Sequence, residues 1–420
     1  MPVVTGDAGE RSHAGAGSGL LRAASRQVNA GRAVLRSVQA SLVKSAHRLL
    51  SLGPGSPNRA CVYGWPDFEE NSLVAAVSLA ETGMFDVTLL ARRPDRARRY
   101  LTLLNGHGAP IEVVKKRSVR GLLRASTAGV LLFTHGLYGA PDLTTRKLVV
   151  NLWHGFGPKA TGYSSPATRI RYSLMTCDTP VWAAAAARAW GTPRSRLVQA
   201  GNPRQVCLRT APNPSALSRL GVTARSYVLW MPTYRSASGA SGQTWREAPE
   251  LTKQQVSGYL LDPVTKIAEL AERVGIDVVV KPHPIDADRY ERSGLQVITT
   301  EQIFAAGMTL YQFIGSSAAM ISDYSSVWVE YLDLDRPLLL YCPDLPEYAH
   351  GRGLSRPYMT HLARDLIVES ADDVRPFLTA VKRGADWRPR ARDEVRAALG
   401  LDALDRNRAS VASVVLAELK

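Results

Sequence analysis

The chain has no long apolar run. Nowhere does it reach the roughly 18–20 residues that a membrane-spanning helix needs, and its first residues lack the apolar core of a secretion signal. Cysteine is scarce. Cys61, Cys177, Cys207 and Cys342 are scattered, with no Cys-x-x-Cys pair and no metal-ligand spacing, so a reducing cytoplasmic compartment is the plain reading and zinc chemistry is disfavoured. There is no Gly-x-x-x-x-Gly-Lys-Ser/Thr phosphate loop and no Gly-x-Gly-x-x-Gly fingerprint, which argues against ATP hydrolysis and dehydrogenation. Acidic side chains are missing altogether between Glu10 and Asp67. The resulting net charge of +15 over 420 residues points to an acidic partner: nucleic acid, an anionic membrane surface or a phosphate-rich substrate. A hydrophobic share of 45% supports sizeable cores, and the length suits two domains.

Residues 1–19, rich in Gly, Ala and Ser, read as a disordered tail. From Leu20 to Leu52 the apolar positions Leu21, Ala24, Val28, Leu35, Val38, Leu42 and Leu49 follow three-four spacing, with Arg22, Arg26, Arg32, Arg36, Lys44 and Arg48 elsewhere on the wheel. This predicts a basic amphipathic helix, either packed on the protein's own core or lying on an anionic membrane surface. Ser51 to Pro57 reads as a linker, closing a segment 1–57.

Beyond it strands and helices alternate, which predicts parallel sheets with helices on both faces. Ala60–Gly64, Phe85–Ala91, Ile111–Val114, Gly129–Thr134 and Leu148–Leu152 read as strands of a first α/β domain, 58–205. Tyr227–Trp230, Ile276–Val280, Ala318–Ile321 and Pro337–Tyr341 read as strands of a second, 206–420, with a polar loop at Ser236–Thr244. Two Rossmann-like domains facing across a cleft is the predicted architecture.

The chemistry concentrates where these strands end, the edge at which α/β sheets hold ligands. Trp153-His154-Gly155 follows one strand, and a neutral His154 there suits a general base. Lys281-Pro282-His283-Pro284 follows another; the prolines stiffen a Lys281 and His283 pair suited to pyrophosphate oxygens. Ser325 and Ser326 open a predicted helix through Leu332, whose free N–H groups favour an anion, and Glu330 one turn on suits ribose hydroxyls. Arg235, after Pro232-Thr233-Tyr234, and Arg204, in Gly201-Asn202-Pro203-Arg204, are further candidates for phosphate.

In order and spacing these elements resemble the CDP-glycerol glycerophosphotransferase family. The resemblance rests on Trp153-His154-Gly155 with Lys159, Gly201 to Arg204, Pro232-Thr233-Tyr234-Arg235, His283-Pro284, Asp323-Tyr324-Ser325-Ser326 with Glu330, and Arg336-Pro337 with Tyr341 to Asp344. It implies a GT-B fold, catalytic histidines at His154 and His283, and substrate contacts from Trp153, Gly155, Lys159, Arg204, Thr233, Arg235, Lys281, Pro284, Ser325, Ser326 and Glu330. It further implies a CDP-polyol donor bound mainly by the second domain, a lipid-linked or polymeric phosphopolyol or saccharide acceptor, no metal or cofactor, no nucleic acid, and peripheral attachment to the cytoplasmic face of the membrane. The chain departs from the family where Phe156-Gly157-Pro158 stands in place of Thr-Pro, and at Ser322 and Glu330, where Thr and Asp are usual. The alternatives are a GT-B nucleotide-sugar glycosyltransferase and, from another class, an inactive membrane- or nucleic-acid-binding protein.

Overall fold

The computed structural model describes residues 41–43, 45–47, 49–51, 53, 55–104, 106, 108–135, 146–160, 171–191, 193–233, 253–282, 290–291, 294–351, 353–403 and 409–420. His283, Pro284, Arg235 and the Ser236–Thr244 insert therefore lie outside the described residues, as does 1–40.

Thirteen described strands form two wholly parallel sheets. The first contains β1 (Ser56–Tyr63), β2 (Asp86–Ala91), β3 (Ile111–Lys115), β4 (Ala128–Phe133), β5 (Leu148–Asn151), β6 (Leu174–Cys177) and β7 (Leu197–Gln199), in the order β3-β2-β1-β4-β5-β6-β7. The second contains β8 (Tyr227–Trp230), β9 (Asp277–Val280), β10 (Gln296–Val297), β11 (Ala319–Ser322), β12 (Leu338–Tyr341) and β13 (Ile367–Val368), in the order β10-β9-β8-β11-β12-β13. Each sheet runs outward in one direction from its first strand and then reverses, the Rossmann arrangement, which opens a crevice beyond the strand ends at the reversal. The reversals fall between β1 and β4 and between β8 and β11. Strands such as β4 and β8 are buried at every position, as expected of parallel strands covered on both faces.

The legible strands were the apolar ones. β6 and β7 have no counterpart in the sequence reading: Leu-Met-Thr-Cys and Leu-Val-Gln are too short and too mixed to stand out from loop. A long helix, Lys253–Val274, precedes β9 and carries Pro263 within it. The helix predicted from Ser326 through Leu332 is shorter, Val327–Tyr331, followed by a 3-10 turn.

The halves share their interior. Trp182 of the first and Trp328 of the second, both buried, meet edge to face with ring centroids 5.8 Å apart. The last helix, Val411–Glu418, leaves the second half and buries Val411, Ala412, Val414 and Val415 in the cluster that holds Leu73 and Ala76 of the first.

The described residues between 41 and 50 are helical. Val43 packs on the core and His47 is buried, its Nδ1 3.0 Å from Ser126 Oγ. Leu42 and Leu49, two positions of the apolar stripe, are 65% and 68% exposed. These two positions thus face away from the body, and the described face that packs is a different one. No helix among the described residues is long and apolar enough to cross a membrane.

Candidate active site

The site is built where strand ends of the two halves meet. After β5, Asn151 Oδ1 accepts from the Trp153 N–H at 2.9 Å, turning the chain so that Trp153 takes a left-handed φ of 48°. Such backbone is uncommon for a bulky residue and needs support from its surroundings. Here Asn71 donates to the Trp153 carbonyl at 3.3 Å, and the Trp153 ring lies against those of His154 and Trp190 at 4.1 and 4.6 Å.

The glycines that follow let the backbone approach the other half of the protein. A Cβ on Gly155, whose φ is 108°, would sit 2.8 Å from Ser326 Oγ and 3.1 Å from Glu330 Oε1. A Cβ on Gly157 would lie 2.7 Å from Ser326 Cα, a contact that backbone cannot relieve cheaply. Farther on, the Lys159 carbonyl accepts from Ser355 Oγ at 2.9 Å, and Lys159 bridges to Leu354.

Arg204 ties this junction together. Its Nη2 and Nε donate to Glu330 Oε1 and Oε2 at 2.6 and 3.0 Å, Nη2 also donates to the His154 carbonyl at 2.9 Å, and the guanidinium lies over the Tyr311 ring at 4.6 Å. The Arg204 side chain is 12% exposed and that of Glu330 is fully buried. Glu330, read as a ribose contact, has both oxygens engaged by Arg204 in this structure. The turn that aims Arg204 is fixed from behind: Asn202 donates to Asp178 at 3.1 Å, Gln205 Oε1 accepts from the Asn202 N–H at 2.7 Å, and the Arg204 N–H donates to Asn71. Burial, and secondarily the charge of Glu330, push the Asp178 carboxyl up to about 7.

Two carboxylates that sequence reasoning missed stand at the start of the helix Glu70–Glu81. Glu69 caps it, accepting from the Asn71 and Ser72 N–H groups at 3.2 and 2.9 Å. Glu70 reaches across to the second half and accepts from the free N–H groups of Leu310 and Tyr311 at 2.6 and 3.2 Å, so it neutralises the positive end of the helix Leu310–Ser316. Burial raises the Glu70 carboxyl to about 7 even against those two hydrogen bonds. The available signal was the polar run Glu69-Glu70-Asn71 immediately before an apolar helix.

In the second half the reversal between β8 and β11 is closed by a carboxylate. Asp323 accepts from the Thr233 N–H and from Thr233 Oγ1, the latter at 2.6 Å, so Thr233 is buried as a loop clamp and its hydroxyl is used within the protein. Ser325 and Ser326 are partly exposed, and Ser325 Oγ accepts from the Val327 N–H at 3.4 Å. Lys281 follows β9, held by its N–H to the Trp230 carbonyl at 2.9 Å; burial lowers its ammonium to about 8, with Glu301 and Glu70 opposing.

His154 is partly buried and stacks face to face on His135, ring centroids 4.5 Å apart and 10° from parallel. Burial, then the neighbouring His135, Arg204 and Lys159, hold its imidazole well below the ordinary 6.5. The ring is therefore neutral at physiological pH, the form that can accept a proton. The structure thus brings Trp153, His154, Gly155, Lys159, Arg204, Ser326 and Glu330 to one junction, with Thr233, Lys281 and Ser325 on the strand ends of the second sheet.

A family model described as CDP-Glycerol:Poly(glycerophosphate) glycerophosphotransferase matches residues 106–399. A teichoic acid ribitol-phosphate primase of Bacillus spizizenii is 41% identical over 64 residues, a stretch that takes in 14% of this chain and 16% of the relative. Solved structures of the wall teichoic acid polymerase TagF superpose with a TM-score of 0.63 at 16% identity, covering 93% of this chain and 98% of theirs. A variant of TagF soaked with CDPG gives a TM-score of 0.65 with the same identity and coverage. This likeness shows that the two sheets form the fold of that polymerase, in keeping with the predicted GT-B-like arrangement.

Proposed function

Because the chain belongs to the CDP-Glycerol:Poly(glycerophosphate) glycerophosphotransferase family, we propose that it transfers a polyol phosphate, glycerol phosphate foremost, from a CDP-polyol to an acceptor hydroxyl and releases CMP. The observation that carries this reading is the junction itself. A neutral His154 from the first half is packed, through Gly155 and Gly157, directly onto the Ser326 helix start of the second half.

In the reaction the acceptor oxygen attacks the β-phosphorus of the donor. One P–O bond forms, the bond from that phosphorus to the bridging oxygen breaks, and CMP departs with the electron pair. The acceptor's proton passes to His154, a contribution typically worth about 10²–10⁴ in rate. Lys281, His283, Arg235 and the Ser325/Ser326 segment would neutralise charge on the two phosphates, the kind of stabilisation on which phosphoryl transfer chiefly depends. Arg204 acts at one remove: its grip on Glu330 and on the His154 carbonyl fixes where the base stands relative to the donor elements. The polymerase likeness, including the CDPG soak, and the primase match support a place in building a teichoic-acid-type polymer on a phosphopolyol or saccharide acceptor. The net charge of +15 and the outward-facing Leu42 and Leu49 support peripheral attachment to an anionic, cytoplasmic membrane face.

The test is a panel of nucleotide-activated donors. CMP should be released from CDP-glycerol or CDP-ribitol in the presence of a phosphopolyol acceptor, with no UDP from UDP-sugars. His154→Ala should lower kcat by about 10² or more while donor affinity stays within a few-fold, since a base acts in the transition state. Sugar transfer from a UDP donor with CDP-polyols inert would overturn the assignment.

A further inference from the structure

The strand-order reversal of the first sheet, between β1 and β4, has its own furnishings. Trp65 follows β1, His135 follows β4 and His154 follows β5, three strands that are neighbours in the sheet. Their rings form a continuous row. Trp65 meets His135 edge-on with centroids 5.6 Å apart, His135 lies flat on His154 at 4.5 Å, and Trp153 closes the row at 4.1 Å from His154. Trp65 is 45% exposed. The indole thus offers an apolar face at the mouth of this crevice, and aromatic walls with few polar groups are how proteins hold hydroxyl-bearing ligands. Thr134 Oγ1 lies 2.9 Å from His135 Nδ1, which fixes the ring. Burial, then Arg204 and Lys116, lower this imidazole to about 4, so it is a neutral hydrogen-bonding group. On the same edge the Lys116 amine sits over the Tyr63 ring at 3.1 Å; burial lowers it to about 7, so near neutral pH it can take up a proton when a phosphate approaches.

We propose that Trp65 and His135 form the acceptor subsite, in which the polyol or sugar end of a phosphate-bearing acceptor lies against the Trp65 indole and its attacking hydroxyl is held by His135 beside His154. The proposal rests on the transfer reaction proposed above and adds where the acceptor sits. It accounts for a second histidine stacked on the base, and it places the acceptor at a reversal point, where open α/β sheets bind ligands. Proximity is the gain: a hydroxyl held on His135 is delivered to the neighbouring ring in one orientation.

The experiment uses the full-length protein and a water-soluble glycerol phosphate oligomer with a free terminal hydroxyl. Binding is measured by calorimetry in the presence of saturating CMP, and kinetics are measured with CDP-glycerol. Trp65→Ala should weaken oligomer binding and raise the acceptor KM about tenfold, equivalent to about 1.4 kcal/mol, while the affinity for CDP-glycerol alone stays within twofold. Trp65→Phe should restore most of the binding. His135→Gln should lower kcat with a smaller change in acceptor KM. Unchanged melting temperatures separate these effects from misfolding. Oligomer binding by Trp65→Ala equal to that of the wild type would overturn the subsite, as would a wild type that binds no oligomer. Failure of the wild type to release CMP from any CDP-polyol would instead strike the transfer reaction, leaving the binding comparison to decide the subsite.

Discussion

At the residue scale, Lys281 is the side chain whose environment makes a pH prediction. Its ammonium is lowered to about 8 in the folded protein from an ordinary 10.5, burial being the main cause. Between those values the unfolded chain binds more protons than the folded one, so this group makes folding more favourable as pH rises from about 8 to 10.5. Activity should move the other way. The protonated form is the one that neutralises a pyrophosphate, so kcat/KM for the donor should fall as pH rises through about 8. In Lys281→Arg, whose charge persists, that limb should move up beyond pH 9. A pH–rate profile on the donor checks both; a limb that stays in place in the arginine variant would remove Lys281 from donor binding. Residue identity alone marked His154, Arg204 and Lys281, because a cation or imidazole beside glycine or proline at a strand end is conspicuous. It did not mark Glu70 or His135, whose importance comes from what lies across from them.

Among the elements, the N-terminal segment combines a packing contact at its described end with the proposed anchor. His47 is buried against Ser126, and Val43 packs on the core, so residues around 43–47 belong to the folded body. A cut at residue 52 would strip that contact away and confuse loss of anchoring with loss of packing. A cut after residue 40 avoids this. It removes Arg22, Arg26, Arg32 and Arg36, and with about 1 kcal/mol per basic residue near an anionic surface, partitioning onto phosphatidylserine-containing vesicles should weaken at least 100-fold. Turnover on a soluble acceptor should be kept. Vesicle sedimentation at low and high salt reads the first effect and CMP release the second; equal sedimentation before and after truncation would end the anchor reading. The stripe of apolar positions was visible in the sequence. That its described members Leu42 and Leu49 face outward while His47 faces inward was not, because a helical wheel gives faces without saying which one the body covers.

For the molecule as a whole, the bond between halves is electrostatic at its centre and apolar around it. Arg204 and Glu330 form a two-pronged pair with almost no solvent access. Removing one member of such a pair strands a buried charge at a cost of about 3–5 kcal/mol. Arg204→Ala should therefore be destabilised by that amount in urea unfolding, and Arg204→Ala with Glu330→Gln should recover a substantial part of it, because the stranded charge is gone. A double variant no more stable than the single one would show that the loss arises elsewhere, in the Tyr311, His154 or Glu69 contacts. The helix Val411–Glu418 adds a second tie by returning the chain end to the first sheet's core.

The sequence by itself determined the class of fold and the chemistry at the strand ends. Apolar runs such as Val278-Val279-Val280 and Val130-Leu131-Leu132 suit strands covered on both faces, and the polar groups that follow each run are then carried to one edge. Tertiary structure decided the partners. Whether Glu330 meets a ribose or Arg204, whether Gly157 lies against a ligand or Ser326, and whether Thr233 is offered outward or spent on Asp323 all depend on groups 90 to 170 residues away. A local pattern fixes which way a side chain leaves its strand. Only the packing of one half on the other fixes what it meets there.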